Sequence, residues 1–345
     1  MAVKEPSWWY GAGPHWQSAA LAPIAQIYGA IAERRYRQTT ATRSAFPVLC
    51  AGNFTAGGTG KTPLALALAG IVREHGGTPW FLSRGYGGRL DGQERVDPER
   101  HTAAEVGDEP LLLAQSAPTV ISRDRGRGAE FIARQAKPGS VIILDDGLQN
   151  ASLAKDLSIA VIDAVRGFGN GALMPAGPLR APLAFQAGLV TALLVNTTSL
   201  PSASRPTLAL SPELAHLPVL HARAAPSGDV MWLTAARMVA FAGIANPARF
   251  FDLLRSHGAT VIETIAFADH QALTEADARD LLELAQRHGC QLITTEKDAM
   301  RLTGSSGALA ELSRRATTLP ITLQFENDDR QRLSDLVADA LAHRA

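Results

Sequence analysis

The run Asn53-Phe54-Thr55-Ala56-Gly57-Gly58-Thr59-Gly60-Lys61-Thr62-Pro63 constrains this chain more than any other. Ahead of it lies an apolar segment of strand type, residues 46–51, and behind it Leu64-Ala65-Leu66-Ala67-Leu68-Ala69 is a strong helix former. A strand, a glycine turn, Gly-Lys-Thr and a helix in that order make a phosphate-binding loop. Glycines let successive backbone N–H groups curl around phosphate oxygens, and the helix N-terminus adds its positive end. In this reading Thr55, Ala56, Gly57, Gly58, Thr59 and Gly60 line the phosphates of ATP. Lys61 reaches the β- and γ-phosphates, and the Thr62 hydroxyl holds Mg²⁺. Pro63 falls in the first helical turn, where its missing N–H costs little.

The loop departs from the general pattern G-x-x-x-x-G-K-[ST], which has glycine where Thr55 stands. Gly-Gly-Thr-Gly-Lys-Thr resembles the deviant loop of partition-type ATPases, some of them membrane-associated switches. Those proteins carry a signature lysine just before the glycine pair, and here that position is Ala56.

A chain of 345 residues is long enough for two domains. Its formal net charge is zero, so no global field recruits nucleic acid. Two cysteines, Cys50 and Cys290, give no disulfide framework, which fits a reducing compartment. No apolar run reaches the roughly 18 residues needed to span a bilayer, and the start lacks a signal-peptide pattern. The N-terminal segment is unusual all the same. Trp8, Trp9, Tyr10 and Trp16 precede Leu21, Ile24, Ile27, Tyr28 and Ile31 at helical spacing, and Arg34, Arg35 and Arg37 close the run. Such a pattern suits a helix lying in a membrane interface. It equally suits a helix packed on its own domain, with arginines favouring the C-terminal end.

Strand and helix patterns alternate along the chain, which argues for parallel α/β architecture. Strands are expected at 46–52, 79–83, 118–122, 140–145, 157–163, 189–195, from 238, at 260–267 and at 291–294. Helices are expected at 61–75, 108–116, 126–136, up to 257, at 274–288 and at about 330–343. The glycine-rich stretch 84–104 reads as a mobile loop, and the Gly/Pro-rich stretch 166–182 as a domain hinge. The expected division is an N-terminal membrane-associating segment 1–37, a phosphate-loop domain 38–165, a second α/β domain with the hinge 166–325, and a C-terminal helix 326–345.

Open α/β sheets place ligands at the carboxyl ends of their strands, so polar residues there carry the chemistry. Ser140–Leu144 is an apolar strand ending in Asp145-Asp146-Gly147, where acidic oxygens could position Mg²⁺ beside the phosphate loop. Asp108-Glu109 opens an apolar helix. The pair serves either as helix-start anions or, in a kinase, as a carboxylate that orients or deprotonates an attacking hydroxyl. Arg123, Arg125 and Arg127 follow the strand ending at Ile121 and suit either phosphate charge or plain solvation. His270, beside Asp269 at a strand end, is a candidate acid/base group.

Taken together these segments resemble one family, tetraacyldisaccharide 4′-kinase, the lipid A 4′-kinase of Gram-negative bacteria. The resemblance rests on residues 52–63, Ser83–Gly88, Val106–Pro110, Asp145–Gln149, Arg166–Gly171, Pro175–Arg180, Phe267–His270 and Thr294–Asp298, in family order across nearly the whole chain. It implies transfer of the ATP γ-phosphate to the 4′-hydroxyl of a tetraacyl-disaccharide 1-phosphate, giving lipid IVA. It implies two α/β/α domains, the first with a parallel sheet of the P-loop NTPase type, joined by a hinge. It places the protein peripherally on the cytoplasmic face of the inner membrane, held by an N-terminal interfacial helix, with no obligate protein partner. By this resemblance Asp108 is the base, paired with His270, and Lys61 completes the catalytic set. Glu109, Asp145 and Asp146 join Thr62 around Mg²⁺, while Arg180, Arg123 and Arg125 are substrate-phosphate arginines. Leu148 and Asn150 stand where the family usually has Phe and His, which leaves substrate packing near Leu148 in question, and Gln271 departs from the usual His or Tyr.

Overall fold

The structure, a computed structural model, describes residues 5–11, 13–198 and 210–343. In chain order the strands are β1 (Val48–Gly52), β2 (Thr78–Ser83), β3 (Glu94–Arg95), β4 (Thr119–Ile121), β5 (Ser140–Asp145), β6 (Leu157–Asp163) and β7 (Ala192–Asn196). They continue with β8 (Val219–Pro226), β9 (Arg237–Ala242), β10 (Thr260–Ala266), β11 (Gln291–Thr295), β12 (Ala316–Leu319) and β13 (Ile321–Phe325). Nine of them form one sheet in the order β13-β8-β7-β6-β1-β5-β2-β4-β3. Its interior pairings are parallel, and only the edge strands β3 and β13 run antiparallel. A second sheet, β10-β9-β11-β12, is parallel throughout.

The central strands of the large sheet are apolar runs with every residue buried, the pattern of a sheet covered on both faces. On one face the helices Lys61–Glu74 and Asp329–Ala342 meet over Leu64, Leu68, Ile71, Leu333 and Val337. On the other, the helices Trp16–Gln38 and Arg125–Ala133 contribute Ala25, Ala129 and Ile132.

Sheet membership divides the chain differently from the expected boundaries. Strands β7, β8 and β13 and the C-terminal helix belong to the phosphate-loop sheet, and the small sheet is an insertion of 237–319 between β8 and β13. The chain passes between the sheets at Pro226–Ser227 and at Pro320–Ile321, which lie side by side. Ile321 is paired with Pro226, and Ser227 N–H donates to Pro320 O at 2.8 Å. The 166–182 stretch is not the connection. It folds onto the phosphate loop, bridging Thr55 through Leu179, with Arg180 N–H donating to Phe54 O at 3.0 Å. Gly/Pro richness marks irregular backbone but does not say what that backbone lies against. Strand β8 escaped the periodicity because it is half-buried, without clean alternation. The 84–104 stretch contributes the edge strand β3.

The helix Trp16–Gln38 packs on its own domain along one face. Ala25 and Gly29 face the domain, and Gly29 lies so close to Leu173 that a Cβ there would meet its Cδ1 at 2.5 Å. The opposite face leaves Trp16, Ile24, Ile27 and Ile31 more than half exposed or nearly so, at 76%, 57%, 62% and 50%.

Leu333 is fully buried where the returning C-terminal helix meets the helix that follows the phosphate loop. Leu333→Ala is expected to lower unfolding free energy by about 2–5 kcal/mol, the usual cost of a core cavity, as read by denaturant titration. A loss under about 1 kcal/mol would mean the C-terminal helix is not part of the cooperative core.

Candidate active site

The phosphate loop connects β1 to its helix, and residues at the ends of β5 and β7 and from the 166–182 stretch surround it. Asn196, at the end of β7, donates Nδ2–H to Thr59 O at 2.8 Å. Arg180 donates Nε–H to Thr55 O at 3.1 Å and Nη1–H to Asp146 Oδ1 at 2.8 Å. Lys61 Nζ lies 3.8 Å from the same carboxylate, at Oδ2. Burial alone would raise the Asp146 pKa, but Lys61 and Arg180 outweigh it and hold the group at about 2. Asp146 sits in the left-handed region, φ 57°, which aims its side chain across the loop. One loop N–H is already committed: Ala56 N–H donates to Pro178 O at 2.8 Å. The N-terminal segment also reaches the loop, Tyr10 OH approaching Ala56 O at 3.4 Å and Glu5 pairing with Arg166 at 2.9 Å.

Asp145, one residue earlier, has the opposite electrostatics. Its Oδ2 accepts from Thr62 Oγ1 at 3.1 Å, while Oδ1 is buried with no partner among the described residues. Burial, followed by the negative charge of Glu109, pushes its pKa up to about 7. A carboxylate so short of positive charge, next to a threonine hydroxyl, is a hard-oxygen donor set that fits Mg²⁺. That ion takes one or two protein carboxylates and fills its shell with water and substrate phosphates. Among the described residues, no group of three or more His, Cys, Asp or Glu is placed to hold a metal ion.

Asp108 enters the site through a glycine. Gly107 has φ 92°, and a Cβ there would meet Tyr86 O at 2.5 Å, so only glycine allows the turn that starts the helix Asp108–Ala114. The Asp108 side chain is buried. Its Oδ1 accepts from Glu109 N–H at 2.9 Å. Its Oδ2 meets three nitrogens of two side chains from the small-sheet insertion: His270 Nδ1 at 3.2 Å, Arg301 Nε at 2.7 Å, and Arg301 Nη2. Burial opposes ionisation, yet these partners hold the carboxyl well below its usual range. For His270, burial favours the neutral ring, but the hydrogen bond and charge of Asp108 outweigh it and raise its pKa. His270 also has a left-handed backbone, φ 56°, and donates its N–H to Gly243 O at 3.1 Å. Glu109 pairs with Lys297 Nζ at 2.6 Å. That contact keeps Glu109 ionised against its burial and keeps Lys297 charged.

Of the residues expected from sequence, Asp108 and His270 are thus joined, and Lys61, Thr62, Asp145, Asp146 and Arg180 converge at the loop. Glu109 is drawn toward the small sheet by Lys297. Arg123 and Arg125 do not join them. Arg123 is exposed and lies 3.4 Å from Asp91, whereas Arg125 is only 2% accessible and donates to Ser122 O, so burial keeps its guanidinium from a substrate. Leu148 is a core residue behind β1. Sequence reading assigned nothing to Lys297 and Arg301. Both lie on the helix Glu296–Leu302, whose cap, Thr295 accepting from Asp298 N–H, was readable as Thr-Glu-Lys-Asp. With that helix recognised, the four-residue spacing puts both cations on one face.

Residues 17–341 match the family described as Tetraacyldisaccharide-1-P 4′-kinase. A tetraacyldisaccharide 4′-kinase of Methylorubrum extorquens is 47% identical over 330 residues, covering 96% of this chain and 97% of the relative. One from Nitrobacter winogradskyi is 44% identical over 341 residues, covering 99% of this chain and 98% of the relative. The fold is that of the solved Aquifex aeolicus LpxK in complex with ATP, at a TM-score of 0.73 and 24% identity, covering 94% of this chain and 99% of that one. Among the described residues, no helix is long and apolar enough to cross a membrane. With its family match spanning nearly the whole chain, the protein belongs to the tetraacyldisaccharide-1-P 4′-kinase family and is a phosphotransferase with an alcohol group as acceptor.

Proposed function

We propose that this protein transfers the γ-phosphoryl group of ATP to the 4′-hydroxyl of a tetraacyldisaccharide 1-phosphate, giving lipid IVA. The observation that carries this reading is the Asp108–His270 pair, which joins a carboxylate of the phosphate-loop sheet to a histidine of the small sheet. Lys61 and the loop N–H groups cradle the β- and γ-phosphates, and Arg180 holds the loop in shape from behind. Thr62 and Asp145 would hold Mg²⁺, which would neutralise phosphate charge, while Glu109 and Asp146 are paired with Lys297 and with Lys61 and Arg180. The acceptor hydroxyl proton passes to the Asp108–His270 pair as the oxygen attacks phosphorus. Arg301 keeps Asp108 ionised, so the carboxylate orients the His270 ring and can accept a hydrogen bond from the acceptor hydroxyl.

The acyl chains of such a substrate stay in a bilayer, which calls for attachment to its surface. The exposed face of the helix Trp16–Gln38, with arginines at its end, suits peripheral docking on the cytoplasmic face of the inner membrane. The partition-type switch reading lacks its signature lysine, since Ala56 occupies that position.

Purified protein incubated with labelled ATP and disaccharide 1-phosphate in detergent micelles is expected to yield labelled lipid. ATP hydrolysis with no lipid labelled would sink the kinase assignment. Asp108→Ala is expected to lower turnover by about 10²-fold or more, the usual loss for a general base; unchanged turnover in the folded variant removes Asp108 from the chemistry.

The raised pKa of His270 also makes stability depend on pH. Protonated His270 gains its partner only in the folded state, so its contribution is complete below the unfolded value near 6.5 and fades as pH rises through the higher folded value. Thermal melts should therefore show His270→Asn destabilising the protein more at pH about 5.5 than at about 8.5. An equal gap at both pH values would contradict the pairing.

Replacing Ile24, Ile27 and Ile31 together with serine should weaken flotation with anionic liposomes while leaving ATP affinity unchanged. Undiminished flotation would refute docking through this face.

A further inference from the structure

We propose that Lys297 is a second phosphate-contacting lysine, delivered by the small sheet to the γ-phosphoryl group during transfer. The proposal deepens the kinase reading above and rests on it. Lys61 and Lys297 come from different sheets, one opening the helix after β1 and the other in the first turn of the helix after β11. Lys297 pairs with Glu109 at 2.6 Å and Lys61 with Asp146 at 3.8 Å, and the charge of each favours the ionised forms of Glu109 and Asp145. The Lys297 ammonium meets Glu109 at Oε1, and its side chain is 28% accessible, against 8% for Arg301 on the same helix.

The neighbouring cation is held very differently. Arg301, one turn later, is 8% accessible and donates to Gly243 O at 2.7 Å, to Asp298 Oδ1 at 2.6 Å and to Asp108. Arg301 is the fixed anchor of this helix face. Lys297 has one ion pair and a flexible four-carbon stem. When a metal-bound triphosphate occupies the loop, Glu109 and Asp145 meet a stronger cation than an ammonium, and Lys297 becomes available to the nearest unneutralised anion. That anion is the γ-phosphoryl group, between the loop and Asp108.

The demand for such a charge follows from the reaction. The bond from the γ-phosphorus to the β–γ bridging oxygen breaks, with its electron pair leaving on ADP. The bond from the acceptor oxygen forms, and the hydroxyl proton goes to the Asp108–His270 pair. Charge in between is spread over the equatorial oxygens of the transferring group. Lys61 serves the β–γ side. Lys297 donates a hydrogen bond to an equatorial oxygen from the acceptor side and keeps its protons throughout. Cations supplied this way accelerate phosphoryl transfer by about 10³–10⁵-fold in other nucleotide enzymes.

The test uses the full chain carrying Lys297→Met or Lys297→Arg. Turnover, KM for ATP, melting temperature and affinity for ADP with aluminium fluoride, a mimic of the transferring group, are measured together. Expected for Lys297→Met are a fall in kcat of about 10²-fold or more, a KM for ATP within about threefold of the parent, and lost affinity for ADP–aluminium fluoride. Lys297→Arg should restore part of both. A kcat within about threefold of the parent, with or without a lower melting temperature, would reduce Lys297 to a clasp between the sheets and overturn the proposal, as would equal losses in ATP and ADP–aluminium fluoride affinity. Failure of the kinase reading itself is separately visible: the parent protein would label no lipid, whatever the Lys297 variants do.

Discussion

One buried carboxylate holds the two halves of this site together. Asp108 belongs to the phosphate-loop sheet, but the groups that satisfy its Oδ2, His270 and Arg301, come from the inserted sheet. An ionised carboxylate in such a place costs several kcal/mol unless it is fully paired. The pairing therefore sets how the sheets meet: the helix Glu296–Leu302 must lie against the helix Asp108–Ala114 for the charges to be met. The Lys297–Glu109 pair repeats the arrangement one residue along. Docking of the sheets and assembly of the Asp108–His270 pair are consequently one event.

Beside this junction, two adjacent aspartates show how environment separates identical side chains. Asp146 faces Lys61 and Arg180 and stays ionised; Asp145 is buried with one oxygen unmatched and titrates near neutrality. The first braces the loop, and the second is left with unsatisfied demand for positive charge, which suits a cation-binding role. Successive residues at a strand end point to different sides, and the left-handed backbone of Asp146 exaggerates the difference.

The N-terminal helix faces two environments as well. Small residues, Ala25 and Gly29, allow close packing on the domain, while the isoleucines turn outward. The Gly29–Leu173 fit fixes the helix on the domain, and a contiguous row of large apolar side chains left in solvent is the kind of patch that marks an interaction surface.

The sequence by itself determined the phosphate loop and most of the alternating strands and helices, though not β3, β8, β12 or β13. These depend on local rules: glycine conformation, Gly-Lys-Thr order, apolar periodicity and carboxylates after a strand. The Asp108–His270 partnership was legible only through family resemblance, because 162 residues separate the two. What tertiary structure alone decided was which elements share a sheet and which side chains turn inward. Strand β13 returns to the large sheet, the 166–182 stretch wraps the loop, Arg125 is buried, and Arg301 and Lys297 reach across to Asp108 and Glu109. Strand pairing and charge pairing join groups far apart in the chain, and neither leaves a periodic or compositional mark near the residues that take part.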